Sequence, residues 1–311
     1  MAAPLVAIVG PTASGKSALA LRLARERSGE IVSCDSLQVY RGLDVGSAKA
    51  TSEERAEVEH HLLDVADPGE GFSAADYARL ARAALDGVRA RGRLPIVAGG
   101  TGLYLRALVL GLFEGPPRDE PLRRRLEALA DRFGDPRLHR LLGHVDPVAA
   151  ERIRPRDRVR VVRALEVYRA TGRPISDQQR LGAEPLRGYR TLLIGLDPGR
   201  AALRAAIEAR TRQMLEGGLI DEVRGLLSRG TDPLARPLQA IGYRQALSVM
   251  RDEMTVREAE GAIVAATLRF AKRQMTWFRH QADVRWFAHA DEAHEAVLTW
   301  LDGSPPANSL T

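Results

Sequence analysis

The stretch VAIVGPTASGKSALALRLA, residues 6–24, constrains the fold of this chain more than any other. It places Gly10, Gly15, Lys16 and Ser17 at the spacing G-x-x-x-x-G-K-[ST]. In such a loop, backbone N–H groups surround phosphate oxygens, the lysine adds a point charge and the serine hydroxyl can hold magnesium. An apolar run precedes the loop and a helix-forming run follows it, as the motif requires. The sequence predicts a bound phosphate chain; ATP or GTP is the usual ligand, but its identity is open.

The rest of the chain alternates short apolar runs with long amphipathic ones, which is typical of a parallel sheet covered by helices. Strands are predicted within residues 5–10, 30–36, 94–98, 189–197 and 284–289. Helices are predicted within residues 17–27, 72–92, 102–108, 199–230 with a break at Gly217-Gly218, and 255–280. Ligands bind beyond the carboxyl ends of such strands. The tips Gly10–Ser17, Asp35–Ser36 and Gly99–Thr101 are therefore expected to converge on one site.

Residues 118–180 differ in composition from the rest of the chain: they are rich in arginine and contain no clear strand pattern. Turns are indicated at Gly134-Asp135-Pro136, Pro155 and Gly172. The expected architecture is thus an α/β fold, a P-loop parallel sheet core flanked by helices, with an inserted all-helical domain. The predicted boundaries are 1–115 and 186–300 for the core, 116–185 for the insertion and 301–311 for a disordered tail.

Composition narrows the class of protein. Cys34 is the one cysteine, which excludes a disulfide framework and a four-cysteine zinc site. The apolar N-terminal run leads directly into the glycine loop, so it indicates a strand and not a signal peptide. No stretch approaches 18 uninterrupted apolar residues, so no membrane span is expected. A cytoplasmic protein is predicted, with a monomer as the default.

The basic residues are distributed unevenly. The net charge is +6, which suits a polyanionic partner but is weak evidence by itself. Lysine occurs only at Lys16, Lys49 and Lys272, and all other basic residues are arginine. Two interpretations are open: codon bias with three random survivors, or positions that need a compact ammonium group. We favour the second. Lys49 either adds charge near the phosphate site or is solvated.

Asp35 follows a predicted strand, and three roles are open for its carboxylate: metal ligand, general base or helix N-cap. The strand at 94–98 ends in Gly-Gly-Thr, whereas an NTPase usually has an aspartate at such a tip to organise magnesium. Two alternatives remain beside a group transferase. One is an ATP-dependent P-loop kinase of a small molecule, and the other is a nucleic-acid-binding regulator that senses a nucleotide.

Many separate motifs together resemble one family. They are GPTASGKS, SCDSLQVYRGLDVGSAK, HHLLDV, FSAADYARLA, VAGGTGLYLRAL, RALEVYRATGRPIS, IGYRQAL and AKRQMTWFR, in this order. From about residue 5 to about residue 287 the chain closely resembles the bacterial tRNA dimethylallyltransferases, or tRNA isopentenyltransferases. The resemblance implies transfer of a dimethylallyl group from dimethylallyl diphosphate to N6 of adenosine 37 of tRNA, next to the anticodon.

The resemblance also implies roles for individual residues. Asp35 would be the general base, Thr101 would contact the reacting centre and Arg210 would clamp the diphosphate. The diphosphate-binding residues would be Gly10, Pro11, Thr12, Ala13, Ser14, Gly15, Lys16 and Ser17. Ser17 would hold Mg²⁺, the implied cofactor. The residues that would contact the tRNA anticodon stem-loop are Asp35, Ser36, Leu37, Gln38, Thr101, Arg123, Val159, Arg160, Val161, Val162, Arg163, Ala240, Ile241, Gly242, Tyr243, Arg244, Gln245, Lys272, Arg273 and Arg279. The arginine-dense insertion would be a mobile part over the anticodon stem.

Simpler interpretations stand beside several of these roles. Arg123 and Arg163 are equally well explained as solvated helix faces. Tyr243 and Trp277 are more often core aromatics than platforms for bases. His60-His61 is read as turn or packing residues, because adjacent histidines do not share a face for a metal.

Overall fold

The structure, a computed structural model, describes residues 2–113, 115–116, 118–181 and 184–303. The described residues form two compact units. The core unit comprises the chain up to Val109 and from Leu186 onwards, and the insertion unit is Leu110–Pro185. The insertion thus begins at Leu110, where an apolar helix ends, and not at residue 116 as the change in composition suggested.

The first part of the core unit alternates strands and helices around the glycine-rich loop. Its elements are β1 (Ala3–Val9), α1 (Lys16–Glu26), β2 (Gly29–Ser33), α2 (Ser52–Glu57), β3 (His60–His61), α3 (Ala74–Ala90), β4 (Leu94–Gly99) and α4 (Gly102–Leu110). Helix α3 begins at a capping box in which Ser73 and Asp76 satisfy each other's backbone N–H groups, as the sequence predicts. Helix α2 and strand β3 were not predicted from the sequence.

The described part of the insertion unit is helical. Its elements are α5 (Glu120–Phe133), α6 (Asp135–Val145), α7 (Pro147–Arg152), α8 (Arg158–Thr171) and α9 (Ile175–Leu181). Three of these helices begin at aspartates, Asp119, Asp146 and Asp157, each accepting from a backbone N–H in the first turn. The unit has its own apolar cluster, which includes Leu138 and Leu142 of α6.

The chain then returns to the sheet. The remaining elements are β5 (Tyr189–Leu196), α10 (Arg200–Glu216), α11 (Leu219–Ser228), a short 3-10 turn (Arg236–Gln239), α12 (Tyr243–Met250), α13 (Val256–Gln281), β6 (Arg285–Phe287) and α14 (Ala290–Leu301). The predicted break at Gly217-Gly218 separates α10 from α11. Sequence patterns did not predict α12 or α14.

Among the described residues, six strands form one sheet in the order β3-β2-β4-β1-β5-β6, and every pair is parallel. This confirms the predicted parallel α/β core. His60 and His61 pair with Ile31 and Val32, so they form the edge strand and not a turn. Helices cover both faces of the sheet: Val6 and Ile8 pack with α1 and α14, and Leu5 and Val9 pack with α3, α4 and α11–α13. Burial on both sides explains why β1 is continuously apolar.

The end of the chain differs from the predicted tail in its first residues. Leu301 ends α14, and both carboxylate oxygens of Asp302 accept from the guanidinium of Arg27. The rest of the predicted disordered tail, residues 304–311, lies outside the described residues. Across the described chain, no helix combines the length and apolar character that crossing a membrane requires.

Candidate active site

The glycine-rich loop lies between β1 and α1 at the carboxyl edge of the sheet. Gly10 has a φ of +147°, and a Cβ there would lie 2.7 Å from the carbonyl oxygen of Leu196 at the end of β5. The hydroxyl of Ser14 is buried and has no hydrogen-bond partner among the described residues. Helix α1 begins at Lys16 without a side-chain cap. The free N–H groups and the dipole of its first turn therefore favour an anion.

Two cations and one carboxylate meet beside this loop. The Lys16 ammonium donates to the carbonyl oxygen of Pro11 at 3.0 Å. Burial lowers the pKa of Lys16 to about 8; repulsion from Arg210 adds to this effect and attraction to Asp35 opposes it. Burial likewise lowers the pKa of Arg210, while Asp35 raises it. Three predicted site residues thus lie close enough for their charges to influence one another, and positive charge is in excess.

Arg210 is held by a hydrogen bond to a backbone carbonyl as well as by its charge interactions. It lies on α10, and its guanidinium donates to the carbonyl oxygen of Ser47 at 3.3 Å. The loop that carries Ser47 therefore sets the position of a cation predicted to bind diphosphate.

Asp35 stands just beyond the end of β2. Its Oδ1 accepts from the backbone N–H of Leu37 at 2.8 Å, which fixes a turn over residues 36–39. No helix begins there, so the N-cap interpretation is wrong, and the side chain caps a turn instead. The hydroxyl of Thr101 accepts from the N–H of Ser36 at 3.1 Å. The turn therefore places Asp35 and Thr101 at the same point of the sheet edge.

The Gly99–Gly102 loop is packed too tightly for side chains. A Cβ on Gly99 would lie 2.1 Å from the carbonyl oxygen of Cys34. A Cβ on Gly102 would lie 2.2 Å from Cε3 of Trp277 on α13. The glycines thus allow the loop that carries Thr101 to lie between the end of β2 and α13.

Gln274 is a site residue to which the sequence assigned no role of its own, although it lies within the motif AKRQMTWFR. Its side chain is 8% exposed on α13. Its Oε1 accepts from the N–H of Thr12 at 2.9 Å, and its Nε2 donates to the carbonyl oxygen of Gly100 at 2.8 Å. Two sequence signals mark it: its place in that motif, and its position as a polar residue on the face that Ala271 and Phe278 bury. The partners lie 262 and 174 residues away, beyond the reach of local patterns.

Glu222 organises the loop that precedes Ser47. Its carboxylate accepts from the backbone N–H groups of Asp44, Val45 and Gly46 at 2.8, 2.7 and 3.2 Å. It also accepts from the hydroxyl of Tyr243 at 2.8 Å. A carboxylate with four donors is well satisfied, so it fixes this loop firmly.

Lys49 supports the same loop. Its ammonium donates to the carbonyl oxygen of Tyr40 at 2.9 Å, to Asp44 at 2.5 Å and to Asp64 at 2.7 Å. The side chain is 1% exposed, so the solvated interpretation is wrong. Its charge is instead neutralised within this network. Three acceptors around one compact ammonium agree with the idea that surviving lysines mark such positions.

Five of the predicted tRNA contacts, Val161, Val162, Gly242, Tyr243 and Gln245, are buried and need correction. Tyr243 is 0% exposed, and Gln245 accepts from the N–H of Gly242 at 2.9 Å while buried. Val161 and Val162 belong to the apolar cluster of the insertion unit. These side chains are enclosed by protein, so they support neighbouring residues and do not present a surface to RNA. For Tyr243 the core interpretation is the right one.

Other predicted contacts are accessible. The exposed residues of that set are Ser36, Val159, Arg160, Arg244, Lys272, Arg273 and Arg279. Arg160 pairs with Asp157, and Arg279 donates to Asp197 at 2.8 Å. Leu37, Gln38, Ala240 and Ile241 are half-buried. The role of this set in binding RNA stays a prediction.

Arg123 and Arg163 converge on one buried carboxylate in the insertion unit. Glu166 is 0% exposed and accepts from Arg123 at 3.2 Å and from Arg163 at 2.6 Å. It also accepts from the N–H of Asp119 at 2.7 Å. Neither arginine is a solvated helix face, because their side chains are 14% and 30% exposed. Contact of either one with RNA stays a prediction.

We expect Tyr243→Phe to lower the free energy of unfolding by about 1–3 kcal/mol, because the half-buried carboxylate of Glu222 loses the donor that the buried Tyr243 supplies. The matched control is Tyr189→Phe, which removes a hydrogen bond to the exposed Asp86 and should change stability by less than about 1 kcal/mol. Urea denaturation of both variants measures the difference. Equal losses would contradict the buried role of the Tyr243 hydroxyl.

Comparison with known proteins decides the family. The family model described as IPP transferase matches residues 38–281. The chain belongs to the IPP transferase family. The tRNA dimethylallyltransferase of Solibacter usitatus is 50% identical over 299 residues, covering 95% of this chain and 97% of that one. That of Anaeromyxobacter dehalogenans is 51% identical over 303 residues, covering 97% and 99%.

Solved structures agree with this IPP transferase assignment. The full-length tRNA isopentenylpyrophosphate transferase from Bacillus halodurans is 41% identical, with a TM-score of 0.69 and 96% of each chain covered. The family resemblance inferred from the motifs is therefore confirmed, and so is the fold class. Among the described residues of this transferase, no group of three His, Cys, Asp or Glu side chains is arranged to hold a metal.

Proposed function

We propose that this IPP transferase moves a dimethylallyl group from dimethylallyl diphosphate to N6 of adenosine 37 of tRNA and releases diphosphate. The observation that carries the proposal is the meeting of Lys16 and Arg210 with Asp35 beside the uncapped start of α1. Its relatives from Solibacter and Anaeromyxobacter are named tRNA dimethylallyltransferases, which supports the same reaction here.

The cationic side of the site would bind the leaving group. As the bond between the prenyl carbon and the diphosphate oxygen breaks, its electron pair passes to that oxygen. Lys16, Arg210 and the N–H groups at the start of α1 would stabilise this charge, and the two side chains are held in place by the carbonyl oxygens of Pro11 and Ser47. A half-buried site with low local dielectric strengthens these interactions.

The carboxylate side would serve the nucleophile. The lone pair of adenine N6 is delocalised into the ring, so N6 must lose a proton as it bonds to the prenyl carbon. Asp35 is the carboxylate beside the two cations and accepts that proton. Thr101, joined to the same turn through Ser36, would contact the reacting centre.

The residues present fit a magnesium ion. Ser17 lies exposed in the first turn of α1, and its hydroxyl is a hard oxygen ligand next to the proposed diphosphate position. Mg²⁺ usually takes one or two protein oxygens and completes its shell with phosphates and water, so a larger acidic cluster is not required. When bound, the ion would neutralise charge on the diphosphate.

The RNA side of the proposal rests on chemistry at the sheet edge. An adenine cannot react while stacked in a loop, so the target base must be extruded toward Asp35. The exposed Arg244, Lys272 and Arg273 of the core unit would hold the phosphates of the flanking nucleotides. The monomeric state and the cytoplasmic location inferred from the sequence stay predictions.

The kinase alternative is not favoured. Strand β4 ends in Gly99, and the loop after it is filled by Gly100–Gly102 packed on α13, without a carboxylate to organise a nucleotide's magnesium. A regulator that merely senses a nucleotide would bind RNA without changing it.

Nucleoside analysis tests the proposal. Unmodified tRNA is incubated with the enzyme, Mg²⁺ and dimethylallyl diphosphate, without ATP, and is then digested for mass spectrometry. We expect N6-dimethylallyl adenosine, located at position 37 by fragment sequencing. Its absence under these conditions, with or without ATP, would refute the proposed function.

The pKa of Lys16 predicts how anion binding depends on pH. An anion binds the protonated ammonium, so affinity is complete below pH 8 and is lost as pH rises through about 8. Inorganic pyrophosphate is titrated into the wild type and into Lys16→Arg, whose guanidinium stays charged. The affinity of the wild type relative to Lys16→Arg should fall about tenfold between pH 7 and 9. A constant ratio would contradict the assignment of Lys16 to the anion site.

A further inference from the structure

Helix α13 touches both loops of the proposed site through a single side chain. Gln274 accepts from the N–H of Thr12 in the glycine-rich loop and donates to the carbonyl oxygen of Gly100 in the loop that carries Thr101. Thr12 belongs to the loop that would bind diphosphate, and Gly100 adjoins the residue that would contact the acceptor. The glutamine amide is therefore the bridge between the two halves of the site.

The chemistry of the two contacts selects glutamine. One partner is a backbone donor and the other a backbone acceptor, so the amide has one orientation that satisfies both. A glutamate carboxylate would accept from Thr12 but would face the Gly100 carbonyl oxygen with a second acceptor. A methionine of similar length would satisfy neither, leaving two backbone groups unpaired.

The surroundings leave little freedom for this contact. A Cβ on Gly100 would lie 2.2 Å from Nε2 of Gln274, so the glycine is needed for the bridge to form. One turn later on α13, Trp277 packs on Gly102 in the same manner. Gln274 and Trp277, on successive turns of α13, therefore hold the loop on either side of Thr101.

The bridge also commits one backbone donor of the glycine-rich loop. The N–H of Thr12 is directed at Gln274, and that of Ser14 donates to the carbonyl oxygen of Pro11 at 3.3 Å, so the anion is left chiefly with the other N–H groups toward Lys16. The position of those donors then depends on where Gln274 holds Thr12. The residue after Thr12 is also held in place. Ala13, with a φ of 64°, packs against Leu203 and Ile207 on α10 and Ala271 on α13.

We infer that Gln274 is a positioning residue that sets the diphosphate-binding loop and the Thr101 loop at their working separation. This inference rests on the proposed function for the identity of the two substrates. The bridge itself concerns an anion-binding loop and is measurable without transfer.

Three variants test the bridge. Gln274→Met removes both hydrogen bonds, Gln274→Glu keeps one, and Gln281→Met makes the same change at an exposed position of α13. We expect Gln274→Met to bind inorganic pyrophosphate about tenfold more weakly. Hydrogen exchange of residues 10–17 should be faster in it. At saturating substrates its kcat should fall about tenfold or more with tRNA affinity unchanged. Gln281→Met should match the wild type in all four measurements.

The pH dependence of Gln274→Glu gives a signature that general destabilisation does not. A protonated carboxylic acid can accept from Thr12 and donate to Gly100, as the amide does, whereas the carboxylate cannot. Burial raises the pKa of a carboxyl group, so the acid form is accessible at mild pH. Pyrophosphate affinity and activity of this variant, each divided by the wild-type value at the same pH, should rise severalfold between pH 8 and 6. This arm holds even if the methionine variant does not fold.

The outcomes separate the bridge from the reaction. The positioning role would be overturned if Gln274→Met kept the wild-type pyrophosphate affinity and hydrogen-exchange rates. It would also be overturned if the affinity and activity of Gln274→Glu, relative to the wild type, did not change with pH. Weaker pyrophosphate binding in a protein that transfers no prenyl group to tRNA would uphold the bridge and refute the proposed function instead.

Discussion

Asp35→Asn is expected to reduce kcat by about 10²–10⁴-fold while leaving tRNA affinity within twofold of the wild type. Asparagine keeps the side-chain oxygen that accepts from Leu37, so the turn beyond β2 is preserved. It cannot accept the proton of adenine N6. The substitution therefore separates the structural part of Asp35 from its proposed chemical part, which alanine would not do. Single-turnover transfer and a tRNA binding isotherm measure the two effects.

The control for Asp35 is Asp67→Asn, an exposed carboxylate that pairs with Arg41. It removes the same charge elsewhere on the core unit and should leave kcat unchanged. Parallel loss of tRNA binding and turnover in Asp35→Asn would indicate that the carboxylate organises the RNA contact and does not act as a base.

Arg210→Met is expected to lower kcat/KM by about 10²–10³-fold, because one of the two cations proposed to stabilise the leaving diphosphate is lost. The variant should also change the pH dependence of pyrophosphate binding. Arg210 helps to lower the pKa of Lys16, so its removal should move the loss of affinity to higher pH. This coupled shift distinguishes a shared site from two independent effects.

Arg212→Met is the matched control, since Arg212 lies on the same helix and is exposed beside Glu260. It should leave both kcat/KM and the pH profile as in the wild type. If Arg210→Met reduced activity without moving the pH profile, the electrostatic coupling of Arg210 and Lys16 would be contradicted.

The parts of the fold that can be predicted from the sequence depend on residues that are close together in the chain. The loop at Gly10–Ser17, the capping box at Ser73 and the break at Gly217 are all determined by residues close in sequence. Strand β3 has two residues, which is too short for any periodicity to register, and its pairing with β2 makes it a strand. Helix α14 was not predicted, because the family motifs end before it. One of its faces is nevertheless buried and carries His294 and Trp300.

The sequence predicts the charged residues of the site better than the residues that hold its loops in place. Lys16, Asp35 and Arg210 were named from the motifs and lie together in the structure. Glu222 and Gln274 were not named, because their partners lie 176–178 and 174–262 residues away. Polar residues with such distant partners resemble surface residues in sequence. Tyr243 and Gln245 are a different case: the family motifs placed both at the RNA, and the structure places both in the interior.

The central claim is that the glycine-rich loop holds a leaving diphosphate and not a nucleotide. It is tested most directly by following labelled dimethylallyl diphosphate with unmodified tRNA and Mg²⁺ in the absence of any nucleotide. We predict that diphosphate and prenylated tRNA appear in equal amounts, and that ATP does not increase either. A requirement for ATP, or release of diphosphate without prenylated RNA, would contradict the account.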